Sequence, residues 1–341
     1  SIADGSNGGK ASNYSLSSGT LDVTSRPVTL TGSRFYDGTT TVSSSNLTTF
    51  NNLVSGETLA LTGSGSVASA NVGNSKSVTL GSLTLGNNIG TASNYSLSSA
   101  TFDIDKRPLN ISSARVYNAA TSISSSNITF GNLVGSETIN KSGSISTSSS
   151  NVGSYANANI NTSSLTLSDG SGGGVVGNYT LTGGTYSAVI TKKALGSSGT
   201  RVYDGTATAS SSNLSLTGLV GSETLTLSGS GTVPNASVQS GKSVTLGTIA
   251  IADSSGSAGN YSLTGSFTMD ITARPVTASG TRVYDGSTNV SGLDINSFTN
   301  LVGSETLAAS GSGSVTSANV GSGKSVTLGT LALANGTGSA S

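Results

Sequence analysis

The sequence predicts an all-β protein, an elongated tandem array of about four small Ig-like or β-sandwich repeats of 81–86 residues each. Three observations predict it. One five-residue motif recurs at domain-sized intervals along the chain. Between its copies, Val, Leu and Ile alternate with polar residues at a period of two, which is typical of strands. Turn-forming residues separate these segments every 8–12 residues, and no stretch shows the apolar stripe of a helix.

The motif Arg-x-Tyr-Asp-Gly marks the repeats. Its tyrosines lie 81, 86 and 81 residues apart, which is too long for one coil of a solenoid and fits a small domain. Asp-Gly predicts a tight turn because glycine accepts a positive φ. The four copies comprise Arg34, Tyr36, Asp37 and Gly38; Arg115 and Tyr117, followed by Asn118 and Ala119; Arg201, Tyr203, Asp204 and Gly205; and Arg282, Tyr284, Asp285 and Gly286.

Three of the four prolines, Pro27, Pro108 and Pro275, follow an arginine at equivalent positions. Proline cannot donate to a sheet, so it suits the seam between two domains. The predicted repeats are 27–107, 108–193, 194–274 and 275–341, with residues 1–26 as the C-terminal strands of a preceding repeat. The second repeat is degenerate and the fourth lacks its C-terminal strands. No Gly/Ser linker occurs at the seams, which favours semi-rigid joints.

Within the first repeat, strands are expected at 28–30, over 53–61 with Leu59 and Leu61 on one face, over 78–85, at Asn94 to Leu97, and around Phe102 and Ile104. The Asn-Tyr-Ser/Thr-Leu segment occurs in residues 1–26 and in each of the first three repeats, at 13–16, 94–97, 178–181 and 260–263. Its tyrosines alternate with leucine, which predicts that they lie in the core. They are Tyr14, Tyr95, Tyr179 and Tyr261.

Composition narrows the possible partners. Only 9 % of the residues are charged, net charge is zero, and Cys and His are absent. Disulfides and thiolate metal sites therefore cannot form. No basic patch suggests a nucleic-acid partner, and no apolar run is long enough to span a membrane. No cofactor is expected.

These motifs resemble the YDG domain, a repeat of very large bacterial surface proteins. That family pattern combines Arg-x-Tyr-Asp-Gly, Gly-Leu-Val-x-Gly-Asp/Glu-Thr, Asn-Val-Gly-x-Gly-Lys and Asn-Tyr-x-Leu. Matching segments lie at 201–205, at 218–224 with Ser222 in place of the second glycine, at 319–324 and at 260–263. Such repeats occur in filamentous-haemagglutinin-like and other adhesin-like exoproteins. The resemblance therefore implies secretion, a bacterial cell-surface location and a role in cell adhesion, a fibre or a biofilm.

The sparse charges occupy fixed positions. All four glutamates of the chain share one position of the repeat, and four of the seven arginines share another. We expect a structural Arg–Glu ion pair that holds the Tyr-Asp-Gly turn to a neighbouring strand; catalysis or ligand binding is the alternative. With no His or Cys and one Glu per repeat, an enzyme is not predicted. The glutamates are Glu57, Glu137, Glu223 and Glu305.

Three further candidates have structural interpretations. The motif tyrosines could form an aromatic platform for a ligand, but packing with a hydrogen-bonded hydroxyl is expected. Residues 321–325, Gly-Ser-Gly-Lys-Ser, match part of a phosphate loop but lack the first glycine and a following helix, which indicates a turn. Asp103, Asp105 and Asp37 could suggest calcium, but they are too isolated to supply its oxygens, so no metal is predicted.

The sequence favours a structural repeat of a fibre or stalk, with a glycan- or surface-binding module acting through avidity as the alternative. The expected partners are further repeats of the same chain and copies of itself. Residues 1–26 carry the strands that the fourth repeat lacks. Either the chain is a slice of a longer array, or these residues complete the last repeat of a neighbour by strand addition, head to tail.

Overall fold

The computed structural model describes residues 2–336 and confirms the all-β class: this part of the chain contains strands and short 3₁₀ helices, with no α-helix. The strands form many small sheets, consistent with a β-sandwich-type array. They are numbered here in chain order, repeat by repeat.

Residues up to 107 form η1 (Ala11–Asn13), β1 (Arg26–Phe35), β2 (Thr41–Ser43), η2 (Ser44–Asn46), β3 (Thr49–Asn51), β4 (Ala60–Thr62), β5 (Ser64–Val67), β6 (Gly73–Thr79), β7 (Thr84–Gly86), η3 (Ala92–Asn94) and β8 (Tyr95–Asp105). The second repeat and its entry form β9 (Arg107–Pro108), β10 (Asn110–Val116), β11 (Ser122–Ser124), η4 (Ser125–Asn127), β12 (Ile128–Gly131), β13 (Ile139–Thr147), β14 (Gly153–Ala156), η5 (Asn157–Asn159), β15 (Ile160–Asn161), β16 (Leu165–Asp169), η6 (Val176–Asn178), β17 (Tyr179–Thr180) and β18 (Tyr186–Thr191).

The third repeat and its entry form β19 (Lys193–Ala194), β20 (Gly196–Val202), β21 (Thr208–Ser210), η7 (Ser211–Asn213), β22 (Leu214–Thr217), β23 (Leu225–Ser228), β24 (Ser230–Thr232), β25 (Gln239–Ser243), β26 (Ala250–Asp253), η8 (Ala258–Asn260), β27 (Tyr261–Ser262) and β28 (Phe267–Thr272). The fourth forms β29 (Thr277–Gly280), β30 (Asn289–Ser291), η9 (Gly292–Asp294), β31 (Ile295–Thr299), β32 (Leu307–Ser310), β33 (Ser312–Val315), β34 (Val326–Thr327) and β35 (Ala332–Asn335).

The first repeat is built on a six-stranded sheet of order β2-β5-β6-β8-β1-β3, with β4 and β7 as a separate pair. Its last strand, β8, lies between β1, to which it is parallel, and β6, to which it is antiparallel. Leu30, Phe102 and Ile104 are at most 1 % exposed. The period-two pattern therefore places the large apolar side chains of β1 and β8 on the face that forms the core.

The third repeat reproduces this arrangement. Its sheet has the order β22-β20-β28-β25, and β28 is parallel to β20 and antiparallel to β25. Met269 and Ile271 of β28 are buried as Phe102 and Ile104 are in β8. In the second repeat, β10 pairs with β12, and β13 pairs with β11, β15 and β16. Its core consists of aliphatic residues around Ile111, Ile123 and Ile145.

The chain separates into two compact units. Of the described residues, one unit holds those up to 114, together with 122–148 and 155–188; the other holds 115–121, 149–154 and those from 189 onwards. The division runs through the second repeat and not along a predicted seam. The seam residues between the first and second repeats lie in one unit, and those between the third and fourth lie in the other.

The predicted strand in residues 13–24 is absent from the structure. Residues 2–25 contain no regular element except η1, and Tyr14, Leu21 and Val23 are 72 %, 86 % and 88 % exposed, so the predicted core position of Tyr14 is wrong. The reason is that a strand needs a partner. The equivalent strand β8 pairs with β1 and β6, and in the first repeat β8 itself already occupies the place between them. Residues 337–341, the end of the predicted fourth repeat, lie outside the described part.

Candidate functional site

Each Tyr-Asp-Gly turn is fixed by its own arginine. Arg34 lies 3.0 Å from Asp37, Arg282 lies 2.9 Å from Asp285, and Arg201 pairs with Asp204 in the same way. The aspartate also accepts a backbone hydrogen bond from the residue two positions on, at 2.9 Å in Asp37 and Asp204. This is an Asx-turn, and the glycine that follows adopts φ +76° to +79°.

Charge balance stabilises this turn as well. In the third repeat, burial opposes the charge of Asp204, but hydrogen bonds from Thr206 and the Arg201 guanidinium outweigh it and hold the carboxyl pKa below its ordinary value. Arg201 is 7 % exposed. Because the arginine is largely desolvated, removing Asp204 would leave a buried cation without its counter-charge.

The degenerate second turn keeps the geometry without the ion pair. Asn118 bonds to Arg115 and accepts from the Ala120 amide at 3.1 Å, as the aspartate does elsewhere. Ala119 adopts φ +63°, a conformation that costs a residue with a Cβ of order 1 kcal/mol or more. The turn therefore serves a structural purpose that survives the loss of its charge.

The motif tyrosine reaches across the seam into the next repeat. The Tyr36 hydroxyl donates to Oε1 of Glu137 at 2.6 Å, and the Tyr179 hydroxyl donates to Oε2 of the same carboxylate at 2.6 Å. The two rings pack edge to face at 5.6 Å. Tyr179 also accepts from the Val134 amide at 3.0 Å. One carboxylate therefore holds a tyrosine from each of two successive repeats.

The same joint recurs between the second and third repeats. The Tyr117 hydroxyl donates to Oε1 of Glu223 at 2.6 Å, and Tyr261 donates to Oε2. Their rings lie 5.3 Å apart at 77°. At the next seam Tyr203 donates to Oε1 of Glu305. In the first repeat, Tyr95 donates to Oε2 of Glu57.

The expected Arg–Glu ion pair is therefore wrong. The arginines bond to the aspartate or asparagine of their own turn, and the glutamates accept from tyrosines. The turn aspartate lies three residues after the arginine in the same turn, so its carboxylate is within bonding distance of the guanidinium. The expected hydrogen bond of the motif hydroxyl is confirmed for Tyr36, Tyr117 and Tyr203, whereas Tyr284 is 63 % exposed. Tyr95, Tyr179 and Tyr261 are buried, as predicted.

Burial raises the pKa of the joint tyrosines, and the glutamate acceptor raises it further. The pKa of Tyr36, Tyr179 and Tyr261 rises to about 12. The pKa of Tyr117 is also raised, mainly by burial, and that of Tyr203 is raised mainly by its bond to Glu305. The phenols are therefore held as neutral donors to a carboxylate.

Close packing explains why the motif ends in glycine. A Cβ on Gly38 would lie 2.9 Å from Cγ1 of Val134, and one on Gly205 would lie 2.8 Å from Cγ1 of Val302. Both valines belong to the Leu-Val-Gly-Ser-Glu segment of the following repeat. Glycine thus permits the turn of one repeat to pack directly on the next, besides accepting the positive φ.

A second set of bonds fixes the seam. The Arg107 guanidinium donates to the carbonyl and the side chain of Asn132, both at 2.7 Å, and the Asn132 amide donates to the Pro108 carbonyl at 2.7 Å. Arg107 also reaches the Tyr36 carbonyl at 3.2 Å. Equivalent bonds join Arg26 to Asn52 and Arg274 to Asn300.

Sequence reasoning overlooked this interaction, although a signal was present. The third repeat lacks Arg-Pro, having Lys193-Ala194, and it also has Gly218 where the others have asparagine. Gly218 keeps the positive φ of the asparagines, at +91°. The two changes occur together because the asparagine side chain serves the Arg-Pro pair.

A third contact uses the Asn of Asn-Tyr. Asn178 accepts from the Val72 amide at 2.9 Å and donates to Asn71 at 3.0 Å. Asn260 makes the same bonds to Val152 and Asn151. Both side chains are at most 3 % exposed. Their amide groups therefore need these bonds, because water cannot replace them at a buried position.

The remaining candidates have structural partners. Lys242 donates to the Asn235 carbonyl at 3.0 Å and Lys324 to the Ser317 carbonyl at 2.8 Å, and Gly241 and Gly323 have positive φ, which confirms a turn. Asp103 accepts from the Ser75 amide at 2.6 Å. Across residues 2–336 no group of three or more acidic, His or Cys side chains could hold a metal ion, and no helix could cross a membrane.

The fold and these joints define a tandem array of small β domains in which a motif tyrosine bonds to the equivalent glutamate of the next repeat. The YDG domain family matches residues 20–102, 188–269 and 268–340. The chain therefore belongs to the YDG domain family. Residues 103–187, which contain most of the degenerate second repeat, lie between the matched segments. No curated protein matches the chain.

Proposed function

We propose that this chain is a structural segment of an extracellular bacterial fibre or adhesin stalk, in which repetition provides length and the joints limit bending. The observation that supports it is the recurrence of one bonding pattern at successive joints. Tyr36 and Tyr179 share Glu137, and Tyr117 and Tyr261 share Glu223. The resemblance to adhesin-like exoproteins supports the surface location.

Short seams and bonds between adjacent repeats limit bending at the joints. The first joint combines a half-buried carboxylate with two phenol donors, a seam without a flexible linker, and contact between Gly38 and Val134 of adjacent repeats. The second joint keeps the half-buried carboxylate with two phenol donors. Only Lys106 separates β8 from β9, and only Lys192 separates β18 from β19. A spacer requires such short connections, because flexible linker residues would allow its repeats to fold back on one another.

Small-angle scattering of the 341-residue chain tests the proposal. A compact globule of this length has a radius of gyration of about 20 Å. A spacer must give a clearly larger value, and the paired change Glu137→Gln with Glu223→Gln should broaden the distance distribution. Glu57→Gln, which changes the same position in the first repeat, is the matched control. A radius near that of a globule would overturn the proposal.

A further inference from the structure

A short 3₁₀ helix with the sequence Ser-Ser-Asn follows β2, β11 and β21, and leads into β3, β12 and β22. Its asparagine begins Asn-Leu-Thr at 46–48, Asn-Ile-Thr at 127–129 and Asn-Leu-Ser at 213–215. Asn-x-Ser/Thr is the acceptor sequence for an asparagine-linked sugar. One acceptor sequence therefore occupies the same position in the first three repeats.

The backbone presents the polar side chains of this sequence on one side. The apolar residue between them is anchored in the core, with Ile128 3 % and Leu214 8 % exposed. The backbone is extended at both, so the side chains before and after each point away from the core. These flanking residues are all exposed: Asn127, Thr129, Asn213 and Ser215. In the first repeat the asparagine is half-buried.

The amide groups of these asparagines are also free. Within residues 2–336 no side-chain hydrogen bond involves Asn46, Asn127 or Asn213. Asn178 and Asn260 begin acceptor sequences too, but they are at most 3 % exposed and bond to the preceding repeat. An asparagine can accept a sugar only where its amide nitrogen is accessible. The structure therefore separates accessible acceptors from inaccessible ones.

The strand that follows each accessible acceptor lies at the edge of its sheet. β3, β12 and β22 each end the strand order of their sheet. Proteins usually protect such an edge with a charge, a proline or a bulge. These strands read Thr-Phe-Asn, Ile-Thr-Phe-Gly and Leu-Ser-Leu-Thr, and their pairing contains no bulge. The three edges therefore lack the usual protection against pairing with another chain.

The fourth repeat provides a comparison. Asp294 stands at the position of Asn127, and the acceptor sequence is absent there. Its carboxylate accepts from the Ser291 amide at 2.9 Å and places a charge just before β31. A charge is one of the usual means of protecting an edge strand. One repeat thus has a charge where the other three have an acceptor for a sugar.

We propose that Asn127 and Asn213, together with the less exposed Asn46, carry asparagine-linked sugars that cover the edge strands β12, β22 and β3. A separate transferase supplies a sugar joined through its anomeric carbon to a nucleoside or lipid diphosphate. The asparagine Nδ2 bonds to this carbon, the bond from the carbon to the diphosphate oxygen breaks, and one Nδ2 proton passes to the released diphosphate. The bulky, hydrophilic product blocks the edge.

Peptide mapping by mass spectrometry, on the protein isolated from its native source, tests the sites. We expect sugar masses on the peptides that contain Asn127 and Asn213, and none at Asn178 or Asn260. Fragmentation that preserves the bond to the sugar assigns each mass to a residue. Unmodified Asn127 and Asn213, or equal modification of Asn178 and Asn260, would overturn the proposal.

Variants made in the same source separate an acceptor from a merely structural asparagine. Thr129→Ala keeps Asn127 but destroys the acceptor sequence, so the sugar at Asn127 should be lost, whereas Thr129→Ser should retain it. Asn140→Gln is the matched control. Asn140 is exposed and begins an acceptor sequence, but its amide nitrogen donates to the Asp169 carbonyl at 2.7 Å. This change should leave the sugar map as it was.

Light scattering measures the protection of the edges. Asn127→Gln with Asn213→Gln should self-associate at a lower protein concentration than the unsubstituted protein, and Asn140→Gln should not. The fold should survive, because neither replaced side chain makes a hydrogen bond within the described residues. Equal association of the double variant and the unsubstituted protein would refute the protective role. None of these results bears on the spacer function, which requires no sugar.

Discussion

At the scale of the residue, the joint depends on one carboxylate with two donors. Glu137 accepts Tyr36 from the preceding repeat and Tyr179 from its own. Hydrogen bonds and not a cation stabilise its charge, and the site is half-buried beside apolar side chains. A hydrogen bond to a charged group contributes about 1.5–3 kcal/mol.

Glu137→Gln should lower the free energy of opening of the first joint by about 1–3 kcal/mol, because a neutral amide is a weaker acceptor and cannot take both phenols equally well. Native-state hydrogen exchange of the Val134 amide, which donates to Tyr179, measures this opening locally. Glu57→Gln is the control, since Glu57 holds one tyrosine in the described chain. Equal effects at the two positions would contradict the shared-acceptor account.

The joint tyrosines also predict an alkaline limit to stability. The native state keeps the protons of Tyr36, Tyr179 and Tyr261 up to a pKa of about 12, whereas the unfolded chain releases them near 10. Between these values the unfolded state binds fewer protons, so stability is intact below pH 10 and falls as pH rises toward 12.

Spectrophotometric titration should therefore show late-ionising tyrosines, and the unfolding midpoint should fall over the same range. Tyr179→Phe should remove one late phenol from the titration. Ionisation of all ten tyrosines together near pH 10 would show that these phenols are not held by the joint.

At the scale of the element, the seams differ in how well they are fixed. Arg107, Asn132 and Pro108 form a closed set of bonds around the turn before Val134. Lys193, Ala194 and Gly218 cannot reproduce it at the entry to the third repeat. Both arrangements keep the parallel pairing of the seam with the Asn-Tyr strand, in β9 with β17 and in β19 with β27.

Installing the missing set, with Lys193→Arg, Ala194→Pro and Gly218→Asn, should stabilise the third repeat by about 1 kcal/mol. Proline fits because Pro108 occupies the equivalent place in an identical pairing. The unfolding midpoint in denaturant measures the gain, and Ala194→Pro alone separates the effect of proline from that of the side-chain bonds. No gain from the triple variant beyond that single change would refute the role assigned to Asn132.

At the scale of the molecule, successive repeats share a core as well as bonds. Leu109, Ile139 and Tyr179 of the second repeat belong to the same buried cluster as Leu30 and Phe102 of the first. Repeats coupled in this way should unfold with nearest-neighbour cooperativity. A repeat of this size is also marginal by itself.

Residues 27–107 expressed alone should therefore have a lower unfolding midpoint than the same residues within 27–193. The separated repeat exposes Tyr36 and loses both its acceptor and the apolar cover from Leu109 and Ile139. Equal midpoints for the two lengths would show that the repeats are independent.

Local patterns predicted most of the strands and turns, but the strand expected over 78–85 is wrong, because a turn at Gly81 separates β6 from β7. Alternation located β1 and β8, and Asp-Gly located the turns. The partner of Glu137 could not be predicted in this way, because Tyr36 lies 101 residues away and opposite charge favoured an arginine. The link between Gly218 and Lys193 was available from comparing the repeats, but it needed the hypothesis of a side-chain bond. The failed strand at 13–24 shows that a strand pattern does not supply a partner.

The distance between Tyr36 and Glu137 has a consequence for biosynthesis. A chain that emerges with its N-terminal end first presents each motif tyrosine about one hundred residues before the carboxylate that receives it. The first three repeats therefore leave the ribosome with the motif tyrosine unbonded, and that tyrosine meets its acceptor only after the next repeat has been synthesised. Each of these joints therefore forms one repeat behind the growing end of the chain.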